Sequence, residues 1–218
     1  MLRAAGVGSG DEVIVPAYGN GEVAEAVVLA GAMPVFADID PETYCLSPEA
    51  VDAVATTRTA AVIAVHRFGN QADIAGLQAV RSGLVVLEQD EPEAPGDGLV
   101  RRRAHALYLS ARLTGVATPA ENPAHRYQRY VVRVPGNGRP DRDAFARALR
   151  AKGVECRVPV KTPLHRTPKF WRDTELPETE RAADETLALP VDAWLTRREL
   201  QRIVSACNAL GGLLTAAF

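Results

Sequence analysis

An acidic cluster follows an apolar run near the middle of the chain. The segment VVLEQDEPEAPGDG covers residues 85–98, and Pro95 and Gly96 turn the chain at its end. Four acids lie within six residues of it: Glu88, Asp90, Glu91 and Glu93. The run at 84–87 is typical of a buried strand, and ligands bind at the carboxyl ends of parallel strands. The sequence therefore predicts a strand that ends at a functional site.

A second acidic pair follows another apolar run. Asp38 and Asp40 stand in FADIDPETY, at the carboxyl end of a predicted strand at 33–39. Their spacing allows two interpretations, a ribose or metal site, or caps of the turn that leads to Pro41, which is the commoner role of such residues. Both interpretations stay open at this stage.

The histidines and cysteines do not predict a metal site. Four histidines are scattered without an i, i+4 pair or a cysteine at ligand spacing: His66, His105, His125 and His165. The three cysteines, Cys45, Cys156 and Cys207, are far apart and odd in number, which predicts buried thiols in a reducing cytosol. GVGSG (6–10) precedes a strand instead of joining a strand to a helix, so we interpret it as a turn.

Charge and hydropathy narrow the class of protein. The 218 residues carry 25 basic and 27 acidic side chains, a net charge of −2, which does not favour nucleic-acid or membrane partners. The start of the chain does not resemble a signal peptide and no apolar run approaches ~20 residues, so we expect a cytoplasmic protein. We interpret the cluster at 101–103, three arginines, as a solvated helix face.

Hydrophobic patterning predicts an α/β fold in the first half of the chain. Short apolar runs at 12–18, 33–39, 60–66 and 84–89 read as strands. Helical patterns at 22–32, 47–55 and 72–82 separate them, the second with Ser47 as N-cap and Pro48 at its first position. Alternation of this kind predicts βαβ units and a parallel sheet, with its acidic tip at the carboxyl edge.

The pattern changes after residue 98. We predict a helix over 97–113, a proline-rich linker over 118–125, a strand over 127–134, a helix over 141–153 capped by Asp141 and ended by Gly153, a strand over 154–160 and a last helix over 195–214. The predicted domains are a truncated α/β sheet domain over 1–98, a connecting helix and linker over 99–121, and a small C-terminal α+β domain over 122–218.

The residues also resemble a known family. GDEVIVPAY, AGAMPVFADIDPETY and VHRFGNQADI stand in the order and at the distances found in the DegT/DnrJ/StrS pyridoxal-phosphate sugar aminotransferases. HRYQRYVVRVP, PLHRTPKF and ERAADETLALPV resemble the small domain of that family. The resemblance covers residues 6–89 and about 99–212, and it implies a partial fold type I large domain followed by a small C-terminal domain.

Several residues depart from what the resemblance implies. The strand at 84–89 ends in the family with an Asp that pairs with the pyridine nitrogen of the cofactor; here Gln89 is aligned, and Asp90 lies one step out of register. On a strand, that step turns a side chain to the opposite face. Asn20 replaces an aromatic residue that stacks on the cofactor, and Pro159 replaces a histidine of the small domain. The family also begins with a helix that holds the cofactor phosphate, which this sequence does not show.

The lysine that forms the Schiff base is missing as well. In the family it follows in a Ser-Phe…Lys segment on further strands, and this chain passes directly from the strand at 84–89 to the next helix. The chain has three lysines, Lys152, Lys161 and Lys169, none in a matching context. Arginine stays protonated and cannot form the imine in place of lysine.

Two hypotheses follow from the resemblance. The first is a degenerate, non-catalytic homologue that needs no cofactor and acts as an accessory or partner subunit, in a homo-oligomer or with an intact paralogue; a decayed gene product is included in it. The alternative is an active aminotransferase in which Lys161 binds pyridoxal phosphate, and an unrelated ligand at the strand tips is a third option. Because the sheet is shortened, we also expect self-association and incomplete burial of Val13, Val15, Val62 and Val86.

Overall fold

The chain forms two compact units. The computed structural model describes residues 2–91, 98–134 and 139–215, without the side chains of 139, 140 and 212–215. The first unit comprises Met1–Glu91 and Thr162–Glu180, and the second Pro92–Lys161 and Arg181–Phe218. This division departs from the predicted domains, which placed 162–180 in the C-terminal domain. The reason is packing, because Leu164, Phe170 and Leu176 are buried in the core of the first unit.

A four-stranded sheet organises the first unit. Its strands are β1 (Glu12–Pro16), β2 (Met33–Ala37), β3 (Thr59–His66) and β4 (Val85–Asp90). They pair in the order β2-β1-β3-β4, and every pairing is parallel. The α/β fold and the shared parallel sheet predicted from the sequence are confirmed. β4 lies at the edge of the sheet.

Helices cover both faces of this sheet. The helices are α1 (Glu22–Leu29), α2 (Pro48–Val54) and α3 (Ile74–Ala79). Val23 and Val27 of α1 share a core with Val13 and Val15 of β1 on one face. Val51 of α2 and Leu77 of α3 share a core with Ile14 and Val62 on the other face. The Ser47 side chain accepts a hydrogen bond from the Ala50 backbone N–H, so the predicted cap of α2 is confirmed.

The expected loss of burial is found only at the edge of the sheet. Val13, Val15 and Val62 are fully buried, so that expectation is wrong for these three residues. Val86 of β4 is partly exposed. A shortened parallel sheet therefore keeps its interior dry and exposes apolar surface at its last strand, which has a strand on one side only among the described residues.

The elements after residue 98 include a small antiparallel sheet. They are α4 (Leu99–Ser110), β5 (Tyr130–Arg133), α5 (Arg139–Ala151), α6 (Pro177–Glu185), β6 (Thr186–Leu189) and α7 (Arg197–Thr215). β5 pairs with β6, and Leu109, Leu149 and Ile203 from three helices pack in the same core as these strands. Within the described residues, none of the helices combines the length and the apolar character that crossing a bilayer requires.

Three local predictions for this part of the chain are wrong. Residues 154–160 make no strand but a single bridge from Arg157 to Ala188, and Pro159 has no N–H to extend it. Asp141 lies in the first turn of α5 instead of capping it, because the helix starts two residues earlier. Arg102 is buried and Arg103 donates to the carbonyl oxygens of 123 and 125, so only Arg101 is a solvated residue of the three.

Candidate functional site

The carboxyl ends of β1, β3 and β4 carry the residues that could do chemistry. Tyr18 follows β1, Arg67 and Phe68 follow β3, and Glu91 follows β4. Parallel pairing of these strands brings their last residues to one edge of the sheet. The acidic tip predicted from the sequence lies at this edge with Glu88, Asp90 and Glu91, whereas Glu93, Pro95 and Gly96 lie outside the described residues.

A buried ion pair joins two strand ends. The Arg67 Nη1 atom lies 2.7 Å from Glu91 Oε1, and the two side chains are only 7% and 11% exposed. The other oxygen of Glu91 accepts a hydrogen bond from the Phe68 backbone N–H at 2.7 Å. Both oxygens of this carboxylate are therefore occupied by donors of the protein itself. Since a charge is expensive to bury alone, each group of the pair needs the other.

Three aromatic rings pack beside the ion pair. Tyr18, Tyr44 and Phe68 form a cluster with ring centroids 5.5–6.1 Å apart. The guanidinium carbon of Arg67 lies 5.0 Å from the Phe68 centroid and 5.7 Å from that of Tyr18, within cation–π range. Tyr44 and Phe68 have φ angles of 61° and 59°, a left-handed conformation that bulky residues rarely adopt. The Glu91 hydrogen bond to Phe68 N–H helps to hold one of these two residues.

His66 is fixed by hydrogen bonds on both ring nitrogens. Its Nδ1 atom accepts from the Ala72 backbone N–H at 3.0 Å. Its Nε2 atom lies 3.3 Å from Glu88 Oε2. Because Nδ1 is an acceptor, a neutral ring carries its proton on Nε2 and donates it to Glu88. Glu88 is thus a partner of His66, although its side chain is 56% exposed.

Gln89 and Asp90 lie on opposite faces of β4, as the register of a strand requires. Val85 and Leu87 pack on the face of the sheet that α1 covers, and Gln89 continues this set. Gln89 lines a hollow of about 550 Å³ together with Leu87 and Ile63 of the sheet and Val23 and Ala26 of α1. Asp90 is exposed, opposite His66 on β3.

The second acidic pair caps one helix and one turn. Asp38 accepts hydrogen bonds from the backbone N–H groups of Glu178 and Thr179, at 3.0 and 2.7 Å, in the first turn of α6. A carboxylate at a helix N-terminus satisfies free N–H groups and favours the helix dipole. Asp40 accepts from the Thr43 backbone N–H and hydroxyl, at 2.7 and 2.9 Å. The capping interpretation therefore holds for Asp40, which binds the turn that contains Pro41. Asp38 is a cap as well, but of α6 and not of the predicted turn, because the first turn of α6 lies beside it.

The thiols and imidazoles do not form a metal site. All three cysteines are free and buried, as predicted. Burial raises the pKa of Cys45 to about 11 and that of Cys207 to about 12. In the part of the chain that the structure describes, histidines, cysteines and acids do not group in a way that could hold a metal ion.

The residues at this edge do not fit pyridoxal phosphate, the cofactor that the resemblance implies. Gln89 offers a neutral amide where the protonated pyridine nitrogen needs a carboxylate. Lys169 is the one lysine in the sequence of the first unit, and its Nζ atom pairs with Glu25 Oε1 of α1 at 2.7 Å. Asn20 is exposed and presents no ring for stacking. At the positions that the resemblance assigns to the cofactor, the chain therefore has neither the carboxylate nor the stacking ring, and the only lysine in the sequence of the first unit is paired with Glu25.

Arg67 and its pairing with Glu91 were missed at the level of sequence. A signal was present, because an arginine directly after the buried strand AAVIAVH (60–66) needs an anion close by. The acids at 88–91, at the end of the next predicted strand, were candidates for this anion. Sequence reasoning assigned those acids to a ligand when one of them serves as the counter-ion of the protein's own arginine.

Comparisons with known proteins agree with this architecture. A segment of 89 residues is 49% identical to L-glutamine:2-deoxy-scyllo-inosose aminotransferase of Streptomyces fradiae, covering 40% of this chain and 21% of that enzyme. The matched segment is thus about a fifth of the length of that relative.

Solved structures match over nearly the whole chain. The aminotransferase TlmJ of Streptoalloteichus hindustanus superposes with a TM-score of 0.85 at 23% identity, covering 98% of this chain and 82% of that one. NtdA of Bacillus subtilis with bound cofactor PMP gives 0.86 at 18% identity, covering 97% and 70%. Because the sequence identities are below 25%, the structural similarity shows the fold alone, which is that of the fold type I aminotransferases.

The family model matches the chain in two pieces. The DegT/DnrJ/EryC1/StrS aminotransferase family matches residues 1–98 and 96–208, so together the two matches span most of the sequence. They meet at 96–98, where the sequence predicts that a segment is missing. The chain belongs to the DegT/DnrJ/EryC1/StrS aminotransferase family.

Proposed function

We propose that this protein is a non-catalytic member of the sugar aminotransferase family that acts as an accessory or partner subunit. The observation that supports the proposal is which residues lie at the carboxyl edge of the sheet. An ion pair of the protein's own residues, Arg67 and Glu91, fills this edge, and the amine needed for transamination is not among its residues. The partner is a second copy or an intact aminotransferase of the same family.

The chemistry of transamination explains why these differences matter. The amine of a lysine first holds the cofactor aldehyde as an imine and then moves a proton during the reaction. An anion next to the pyridine nitrogen keeps the ring protonated, so that it can accept electrons. Gln89 is neutral and cannot supply that anion. Lys169 is exposed, and its amine forms an ion pair with Glu25.

Borohydride reduction tests this proposal directly. The purified protein is incubated with excess pyridoxal phosphate under native conditions, reduced, digested and examined by mass spectrometry, with an active family member as positive control. We expect no stoichiometric adduct at Lys152, Lys161 or Lys169, and no visible absorbance band that survives dialysis. A complete adduct at one lysine, lost when that lysine is changed to Arg, would overturn the proposal.

Family membership favours one second candidate, an active pyridoxal-phosphate sugar aminotransferase in which Lys161 forms the imine. The 49% identity to the Streptomyces fradiae enzyme over 89 residues supports it. The same experiment distinguishes the two functions, because this candidate requires a reducible adduct at Lys161. Its loss in Lys161→Arg, together with a yellow colour of the unmodified protein, would show that Lys161 forms the imine and would favour the enzyme over the non-catalytic subunit.

A further inference from the structure

In the part of the chain that the structure describes, the outer edge of β4 is open for hydrogen bonding. β4 pairs with β3 over six residues from Ala61↔Val85 to His66↔Asp90, and it is the last strand of the sheet. Among the described residues, backbone groups of 85–90 make no bond to anything beyond β3. An edge of this kind presents a row of N–H and C=O groups that can pair with another strand.

The first half of β4 carries apolar side chains, and the second half carries two acidic ones. Val85, Val86 and Leu87 are apolar and partly buried, whereas Glu88 and Asp90 are exposed. The two acids share one face of the sheet because they are two residues apart. Leu87 and Gln89 share the opposite face, where they line the hollow beside α1. An added strand would therefore meet apolar surface on one face and two carboxylates on the other.

We propose that the outer edge of β4 binds an extended segment of a partner protein, which adds to the sheet as a fifth parallel strand. The partner segment has apolar residues opposite 85–87 and basic residues opposite Glu88 and Asp90. The residue between its two basic residues is apolar and faces the hollow. Backbone hydrogen bonds supply affinity in this mode of recognition, and alternate side chains supply specificity. This inference rests on the proposed role as a partner subunit and names the surface that such a role would use.

Charge argues against a second copy of β4 as the occupant. Parallel pairing of two copies places Glu88 against Glu88 and Asp90 against Asp90, and like charges directly opposite each other destabilise a sheet. Antiparallel pairing about a two-fold axis places Glu88 against Leu87 and Asp90 against Val85, which joins acids to apolar side chains. A strand with lysine or arginine at the two acidic positions avoids both problems.

Fluorescence anisotropy with a labelled peptide tests the inference on the full chain. The probe Val-Val-Ile-Lys-Val-Lys, flanked by glycines and labelled at one end, matches the proposed pattern. The comparison probes carry Glu in place of both Lys or have the reversed sequence. The protein variants are Glu88→Lys combined with Asp90→Lys, the single variant Asp90→Lys as a milder change, and Glu42→Lys as an exposed control away from the edge.

We expect saturable binding of the Lys probe by the wild type and by Glu42→Lys. The double variant should lose at least about fivefold in affinity for it and gain affinity for the Glu probe, since each attraction becomes a repulsion. Circular dichroism shows whether each variant is folded, and Asp90→Lys alone should give a smaller loss in the same direction. Equal binding of the Lys and Glu probes, or binding of neither, would overturn the proposal.

Two further outcomes are decisive. Preference for the reversed Lys probe would overturn the parallel arrangement. A dimer of the protein alone that Leu87→Lys dissociates would show that a second copy occupies the edge. Failure of peptide binding leaves the non-catalytic assignment untouched, whereas a borohydride adduct removes that assignment without bearing on the edge.

Discussion

Replacing Glu91 by Gln removes the charge that faces Arg67 and keeps an oxygen that can accept the Phe68 N–H. Because the two side chains are 7% and 11% exposed, Arg67 would be left as an uncompensated charge in a nearly dry site. Breaking a buried pair in this way costs about 3–5 kcal/mol, and the slight exposure places our expectation near 3 kcal/mol. The variant Arg67→Met should lose a similar amount, because it leaves the Glu91 carboxylate buried.

The double variant is the sharper test of the same pair. Arg67→Met with Glu91→Gln removes both charges, so its loss should be smaller than the sum of the single losses by about 1.5 kcal/mol or more. All variants are made in a Trp194→Phe background, in which Trp171 is the sole tryptophan and lies in the first unit. Tryptophan fluorescence during urea unfolding then reports on the first unit. Additive losses, with a coupling below about 0.5 kcal/mol, would refute the interpretation of the pair as mutually required.

An exposed pair serves as the matched control. Lys169 and Glu25 also lie 2.7 Å apart, but their side chains are 62% and 47% exposed. Solvent screens such a pair, so Lys169→Gln should change the free energy of unfolding by less than about 1 kcal/mol. The comparison separates the effect of burial from the effect of distance, because the two pairs have the same length.

Three further outcomes concern other groups. Burial, together with the nearby charge of Arg103, lowers the pKa of His125 to about 4. The native state therefore has its full stability above pH ~6.5, and up to about 3 kcal/mol of the free energy of unfolding is lost as the pH falls to 4. Urea unfolding at several pH values should show this loss, and His125→Asn should reduce it. Asp38→Ala removes an acceptor from the first turn of α6, and we expect a loss of about 1–2 kcal/mol in urea unfolding, whereas Asp38→Asn should retain part of it. Cys45, Cys156 and Cys207 are buried with raised pKa values, so a thiol reagent should label none of them in the native protein at pH 8 and all three in urea; fast native labelling would contradict the packing.

The parallel sheet could be predicted because each signal for it is local. Alternation of apolar runs with helical patterns placed the four strands, and Ser47 with Pro48 marked the start of α2 correctly. Strand boundaries were less certain, since β1 ends at Pro16 and not at residue 18. The hydrophobic periodicity that distinguishes helices from strands can be seen in the sequence, and the elements of the first unit agree with it closely.

The later part of the chain was harder because tertiary pairing decides its elements. β6 is only four residues long and is stabilised by β5, which lies more than fifty residues earlier. Residues 154–160 have a strand-like composition but make one bridge, since a partner strand is available at one position only. Propensity could not decide between these two segments without knowledge of which neighbour each would find.

The position of the acidic residues at the end of β4 could be predicted from the sequence, whereas their contacts could not. The register of β4 correctly separated Gln89 from Asp90, because side chains alternate strictly along a strand. The pairing of Glu91 with Arg67 depends on how the chain turns after β3, where Phe68 adopts a left-handed conformation. Such a turn has no simple residue signature, so the partner of the acidic tip could not be identified in advance.

The charges at this edge bear on what the protein can bind. Glu91 is committed to Arg67, while Glu88 and Asp90 are exposed, so the outer part of the edge presents negative charge to solvent. A basic side chain meets attraction at the same two positions. The two exposed carboxylates therefore support the proposal of a cationic partner strand at the outer edge of β4, and the peptide-binding experiment tests it.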